Sequence, residues 1–144
     1  MTQIFMGADH RGIILKEKIR LYLDQKSYLV FDCGTHAGEP VDYPDVARSV
    51  CEKIKNDPQA RGILICGSGV GISMAANRYP YIRAAKCANG LEVAYARRHN
   101  NANVLCLGER FLGDLIAYDC VDIFLNTEFE GGRHRQRIQK LESL

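Results

Sequence analysis

The sequence predicts an α/β protein: a Rossmann-like three-layer α/β/α sandwich around a five-stranded parallel sheet, closed by a C-terminal helical tail. Three observations predict it. Short apolar runs recur, each followed by a small-residue turn and then an amphipathic stretch, the alternation of βα units. No internal period and no Pro/Ser/Gly-rich linker divides the 144 residues, so they read as one domain, 1–144. Polar and glycine residues concentrate just after the apolar runs, where parallel sheets place their sites.

Taken in order, the first run is Ile4-Phe5-Met6, followed by Ala8-Asp9-His10-Arg11 and a helix near 12–26. In that helix Ile14, Leu15, Ile19, Tyr22 and Leu23 form one stripe, while Lys16, Glu17, Lys18 and Arg20 are expected to face water. The second run, Leu29-Val30-Phe31, leads through Gly34-Thr35-His36 to Val41-Asp42-Tyr43-Pro44-Asp45 and a helix near 44–56, with Pro44 in its first turn. The third, Gly62 to Cys66, enters Gly67-Ser68-Gly69-Val70-Gly71 and a helix near 70–77. The fourth, Ile82 to Ala85, precedes a helix near 90–99, and the fifth, Asn103 to Leu107, is followed by Gly108-Glu109-Arg110 and a helix near 112–126. The pair Gly131-Gly132 is expected to stop that helix and to precede a short basic one containing Arg133, His134, Arg135 and Arg137.

Composition excludes several classes. With 47% hydrophobic and 25% charged residues the chain is globular rather than disordered or fibrous. At this size about two-thirds of the unfolded surface is buried on folding, enough for a core without staples. A net charge of +2 carries no field that argues for nucleic acid, and the basic tail is short and lacks interleaved aromatics, so nucleic acid is not an expected partner. The six cysteines contain no C-x-x-C, which disfavours zinc-finger and dithiol readings and suits reduced thiols. Charge at Asp9 interrupts the apolar amino terminus, so no signal peptide or membrane span is expected and the cytoplasm is the default location.

The strongest motif is Cys66-Gly67-Ser68-Gly69-Val70-Gly71 at a strand-to-helix turn. Bare amides there stabilise an anion or a developing oxyanion. A dinucleotide fingerprint fits poorly, because the third glycine falls at 71 rather than 72 and Lys86 and Cys87 stand where the ribose-binding acid belongs. No Gly-Lys-Ser/Thr supports a P-loop. Cys66 has two readings: a packing cysteine like the other five, or a thiolate favoured by the helix start. Beside the Ser68 hydroxyl, such a base suits removal of a proton next to a carbonyl and stabilisation of an enediolate. Asp9, His10 and His99 are candidates for proton transfer on one shared rim, against the alternative that each is a solvated residue; His36 reads as surface. Arg133 and Arg137, four apart, share a helix face and suit bidentate phosphate binding. Tyr43 is either a lid aromatic or a packing residue.

These residues carry a resemblance that runs essentially end to end. Gly7-Ala8-Asp9-His10-Arg11-Gly12, Asp42-Tyr43-Pro44, the block Gly62 to Ser73, Arg98-His99-Asn100, Asn103-Val104 and Glu130-Gly131-Gly132-Arg133-His134 resemble the family of type B ribose-5-phosphate, galactose-6-phosphate and allose-6-phosphate isomerases. The resemblance implies aldose–ketose isomerisation of ribose 5-phosphate and ribulose 5-phosphate, in the non-oxidative pentose phosphate branch. It implies no metal or organic cofactor, and a homodimer with the site shared across its interface, tetramers remaining open. Cys66 is then the base between C1 and C2, since Ala75 stands where another branch has a glutamate. Ser68 takes a place often held by threonine, against the reacting oxygens, and the amides of Gly67, Gly69 and Gly71 face the enediolate. The resemblance further implies that His99 with Asp9 opens the furanose ring, that His10, Arg133 and Arg137, with Arg110 as a further contributor, hold the phosphate, and that Asn100 holds the sugar or the enediolate through its amide. The segment Cys87-Ala88-Asn89-Gly90 departs from the usual pattern, which bears on sugar preference. The alternatives are a hexose-phosphate isomerase, or a noncatalytic domain that binds a phosphate ligand.

Overall fold

The computed structural model describes residues 2–36 and 40–144. Its strands are β1 (Gln3–Ala8), β2 (Leu29–Asp32), β3 (Arg61–Cys66), β4 (Ala84–Lys86) and β5 (Val104–Gly108), and its helices α1 (Ile13–Gln25), α2 (Tyr43–Ile54), α3 (Val70–Ala76), α4 (Gly90–Asn100), α5 (Asp114–Asn126) and α6 (Arg133–Glu142). All pairings are parallel, in the order β2-β1-β3-β5-β4. The five-run reading is borne out, with shifted boundaries. β4 starts two residues beyond the expected Ile82, because the Asn103 side chain accepts the Arg83 N–H at 2.7 Å in place of a sheet partner.

Alternate strand residues face opposite layers. Ile4, Met6, Ala8, Ile63, Ile65, Leu105 and Leu107 pack on α1, α4 and α5 through Leu15, Ile19, Val93, Val121 and Phe124. Phe5, Leu64, Cys66, Val104 and Cys106 pack on α2 and α3 through Val46, Val50, Ile54, Ile72 and Ala76. The chain therefore leaves β1 and β5 toward one face and β3 toward the other. That reversal opens a crevice at the carboxyl edge of the central strands.

Two expectations change. Lys16 does not face water: it is 1% exposed, and its ammonium donates to the Asp32 carboxylate at 2.7 and 2.9 Å and to the Thr35 carbonyl at 2.8 Å, while Ile14 is 65% exposed. The ion pair outweighs the amphipathic pattern because it joins α1 to the end of β2 and satisfies the buried charge. Nor does Gly131-Gly132 stop α5, which ends at Asn126. With φ of 71° and 55° the glycines turn the chain into α6, and Gly132 is its N-cap residue. Among the described residues no helix is long and apolar enough to cross a membrane.

Candidate active site

Three loops at the carboxyl edge are tied together by backbone bonds that extend the sheet. Asp9 N–H donates to Ile65 O at 3.2 Å, Glu109 N–H to Cys66 O at 3.0 Å and Arg110 N–H to Gly67 O at 3.1 Å. The Glu109 carboxylate also accepts from Leu15 N–H at 2.6 Å, which anchors the start of α1 to the loop after β5. Between these loops and α2 lies a cleft of about 530 Å³, a usual size for a small-molecule site. Its walls include Asp9, His10, Tyr43, Cys66, Gly67, Ser68, Gly71 and Arg110.

Glycine is required at two positions of the turn after β3. Gly69 has φ +78°, and a Cβ there would lie 2.9 Å from the Leu107 carbonyl carbon. At Gly71 a Cβ would fall 2.8 Å from the Tyr43 ring. Tyr43, 41% exposed, is therefore a wall of the cleft pressed onto the turn, which answers the choice the sequence left open. The Gly69 amide donates to Cys66 Sγ at 3.1 Å and the Val70 amide to Ser68 Oγ at 3.2 Å. Negative charge on the sulfur is thereby stabilised, and the Ser68 O–H stays free to donate. The Gly71 and Ile72 amides begin α3 with no acceptor among the described residues and remain available to an oxyanion. Burial pushes the other five thiols up: Cys51 and Cys87 to about 12, Cys120 to about 11, with Cys33 and Cys106 also raised.

Asp9, 6% exposed, is oriented by the Arg11 N–H, donated to Oδ1 at 2.9 Å. His10 Nδ1 accepts from Val41 N–H at 3.2 Å, so the neutral ring carries its proton on Nε2 and presents a donor. Arg110 is exposed on the same rim.

His99, Asn100, Arg133 and Arg137 are not in this cleft, contrary to the expectation of one shared rim. The reason is topological: α4 is a crossover and runs antiparallel to the strands, so a helix that starts at the carboxyl edge delivers its last residues to the amino edge. There the buried Arg97 guanidinium fixes the helix end, donating to Ala102 O at 2.7 Å and to Thr127 O and Asn101 Oδ1 at 3.0 Å. Burial, then Arg61 and Arg83, lowers its pKa to about 10, and it stays charged at neutral pH. Asn100 lines a separate cavity with Arg83, Ala102 and Leu141. α6 lies beside α4, with Arg83 paired to Glu142 at 2.5 Å, and it buries His134 and Ile138 while exposing Arg133 and Arg137. Among the described residues no carboxylate pairs with Arg110, Arg133 or Arg137.

Sequence reasoning passed over Glu109, which anchors the rim, and the cluster formed with His99 by Glu130 and His134. The spacing of Glu130 and His134 four apart, across a glycine pair, was the available signal. His36, 70% exposed, is a surface residue as read.

A family profile described as ribose/galactose isomerase matches residues 4–141. The chain belongs to that family. The ribose-5-phosphate isomerase B of Escherichia coli is 41% identical over 144 residues, covering 100% of this chain and 97% of that protein. A solved ribose-5-phosphate isomerase B from Clostridium thermocellum superposes with a TM-score of 0.96 at 48% identity, covering 99% of this chain and 96% of that one. One from Mycoplasma genitalium with bound ribulose-5-phosphate gives 0.95 at 44%, covering 99% and 95%.

Proposed function

We propose that this isomerase interconverts ribose 5-phosphate and ribulose 5-phosphate in the cleft at the carboxyl edge. The observation that carries the reading is Cys66 at the end of β3, its sulfur receiving the Gly69 amide, beside an open pair of amides and the Ser68 hydroxyl, in a chain of this family. In the forward direction the Cys66 thiolate takes the proton from C2 of the open aldose. The electron pair moves into the C1–C2 bond and charge develops on O1, facing the Gly71 and Ile72 amides. The protonated thiol returns the proton to C1, the O2 hydroxyl proton passes to O1 so that O2 becomes the ketone and O1 the C1 hydroxyl, and the reaction is redox-neutral. Asp9 and a His99 imidazole open the ring; His10 and Arg110 take the phosphate.

His99, Asn100, Arg133 and Arg137 stand at the opposite edge, across a sheet whose central strand has 6 residues and so spans about 20 Å. No side chain reaches that far. A second copy of the chain supplies them: the reading is a homodimer in which one protomer's cleft receives His99 and the tail arginines of its partner, isologous and therefore with two equivalent sites. Exposed Val70, Met74, Leu91 and Tyr95 offer apolar area for such a contact.

The test is conversion of ribose 5-phosphate with chelator present, for the wild type and Cys66→Ala. Loss of turnover in Cys66→Ala with ribose 5-phosphate still bound supports the assignment. Undiminished activity removes Cys66 as the base. An inactive wild type sends the search to allose 6-phosphate and galactose 6-phosphate, and failure on all three leaves a phosphate-binding domain.

A further inference from the structure

The amino-edge cluster holds more ligand atoms than ring opening needs. His99 Nε2 and His134 Nε2 lie 3.8 and 3.6 Å from Glu130 Oε1, and the ligand atoms of the three residues all fall within 4.8 Å of one another. The two imidazoles stack at 4.3 Å between centroids, 14° from parallel. His134 is 5% exposed, and its Nε2 is the one buried side-chain nitrogen or oxygen among the described residues without a hydrogen-bond partner. A buried imidazole nitrogen aimed at a carboxylate beyond hydrogen-bond range calls for a shared third party.

The spacing suits a metal ion. Ligand atoms at about 2.0–2.1 Å from a tetrahedral zinc stand about 3.3 Å apart; Glu130 Oε1 is already 3.6 and 3.8 Å from the two imidazole nitrogens, and the widest separation in the set, within 4.8 Å, closes by movement of a ring. The rings are stacked nearly parallel, so one ring must tilt for both nitrogens to meet a single ion. His99 is 32% exposed and free to do so, while His134 is held by its burial. Two imidazoles and a carboxylate form a three-ligand set with a fourth position open to water, and imidazole selects zinc-like ions over magnesium or calcium.

We propose that His99, Glu130 and His134 bind a divalent ion of the zinc class, and that its occupancy inhibits the isomerase by withdrawing His99 from the sugar ring. The inhibitory half rests on the role given to His99 above, and the ion is a regulator rather than a cofactor. The test uses the full chain stripped of metal. Zinc chloride is titrated calorimetrically into the wild type, Glu130→Gln and Cys66→Ala, and turnover is measured at the same free zinc. One zinc per chain is expected, with affinity reduced at least about tenfold in Glu130→Gln, a cost that even outer-shell partners carry, and unchanged in Cys66→Ala. Glu130→Gln, altered at a half-exposed side chain, is compared with its own zinc-free turnover and requires correspondingly more zinc for half-inhibition. Cobalt in place of zinc shows d–d bands without thiolate charge transfer. Absent zinc binding, equal binding by Glu130→Gln, or binding lost in Cys66→Ala with a thiolate band overturns the site. Zinc bound as expected with turnover untouched overturns inhibition. Glu130-dependent binding by a wild type that isomerises no sugar phosphate supports the ion site and counts against the isomerase reading alone.

Discussion

If each cleft borrows His99 from a partner, two dead chains should revive each other. Cys66→Ala lacks the base but keeps a His99 to lend; His99→Ala lacks the imidazole but keeps a working cleft. About 20 Å of sheet separates the two positions within one chain, from the 6-residue length of β3, so neither lesion disturbs the other directly. Random assembly of equal amounts makes about half the dimers mixed, and each mixed dimer has one intact site and one doubly damaged one, so about a quarter of wild-type turnover returns. The assay is ribulose 5-phosphate formation after co-refolding, or after co-expression with two tags. Turnover of the doubly purified mixed dimer isolates the effect at about half the wild-type value. A mixture no more active than the sum of its parents refutes the shared site.

Three further outcomes are expected. Gly69→Ala combines φ +78° with a Cβ 2.9 Å from backbone, which costs at least about 2 kcal/mol; calorimetry should show a Tm fall of about 5 °C, and an unchanged Tm would remove the steric account. Lys16→Met leaves Asp32 without its ammonium and should cost about 3 kcal/mol in urea unfolding at pH 7. Burial of the Asp32 carboxyl works to raise its pKa, but the Lys16 ammonium and the Gly34 N–H hold it below its ordinary value. Its stabilising contribution is therefore complete above about pH 4 and is lost as pH falls through the lowered pKa, so the gap between wild type and Lys16→Met must narrow in that range; a gap that widens there contradicts the pairing. Iodoacetamide at neutral pH should inactivate in step with labelling of Cys66, with ribose 5-phosphate protecting. Cys51, Cys87 and Cys120, buried and pushed up to about 12, 12 and 11, should label slowly, and inactivation that tracks one of them would displace Cys66.

What the sequence determined by itself was whatever depends on near neighbours along the chain. The apolar runs located all five strands; burial on both faces demands continuous hydrophobicity at the central β1, β3 and β5, while the edge strand β2 keeps its apolar run with Leu29 and Phe31 partly exposed. The glycines from 67 to 71 located the turn, because backbone geometry excludes a side chain at 69, although the reason for glycine at 71, the Tyr43 ring, is tertiary. Asp9, His10, Cys66, Ser68 and Arg110 were legible together because parallel strands deliver their last residues to one edge, while Tyr43, at the start of α2, was left open by the sequence. Tertiary structure decided what depends on distance through space. Lys16 is charged by type and buried by circumstance, since its partner Asp32 comes 16 residues later. His99 and the tail arginines look like companions of Asp9 until the direction of α4 carries them to the far edge of the sheet. Glu130 meets His99 because its N–H donates to Arg98 O at 3.0 Å, and His134 joins them because a positive-φ glycine pair folds α6 back beside α4. Side-chain periodicity reports which face a residue takes, but not the end of the sheet at which a crossover helix finishes, and so the direction of α4, not the spacing of His99, decides which residues share an edge within one chain.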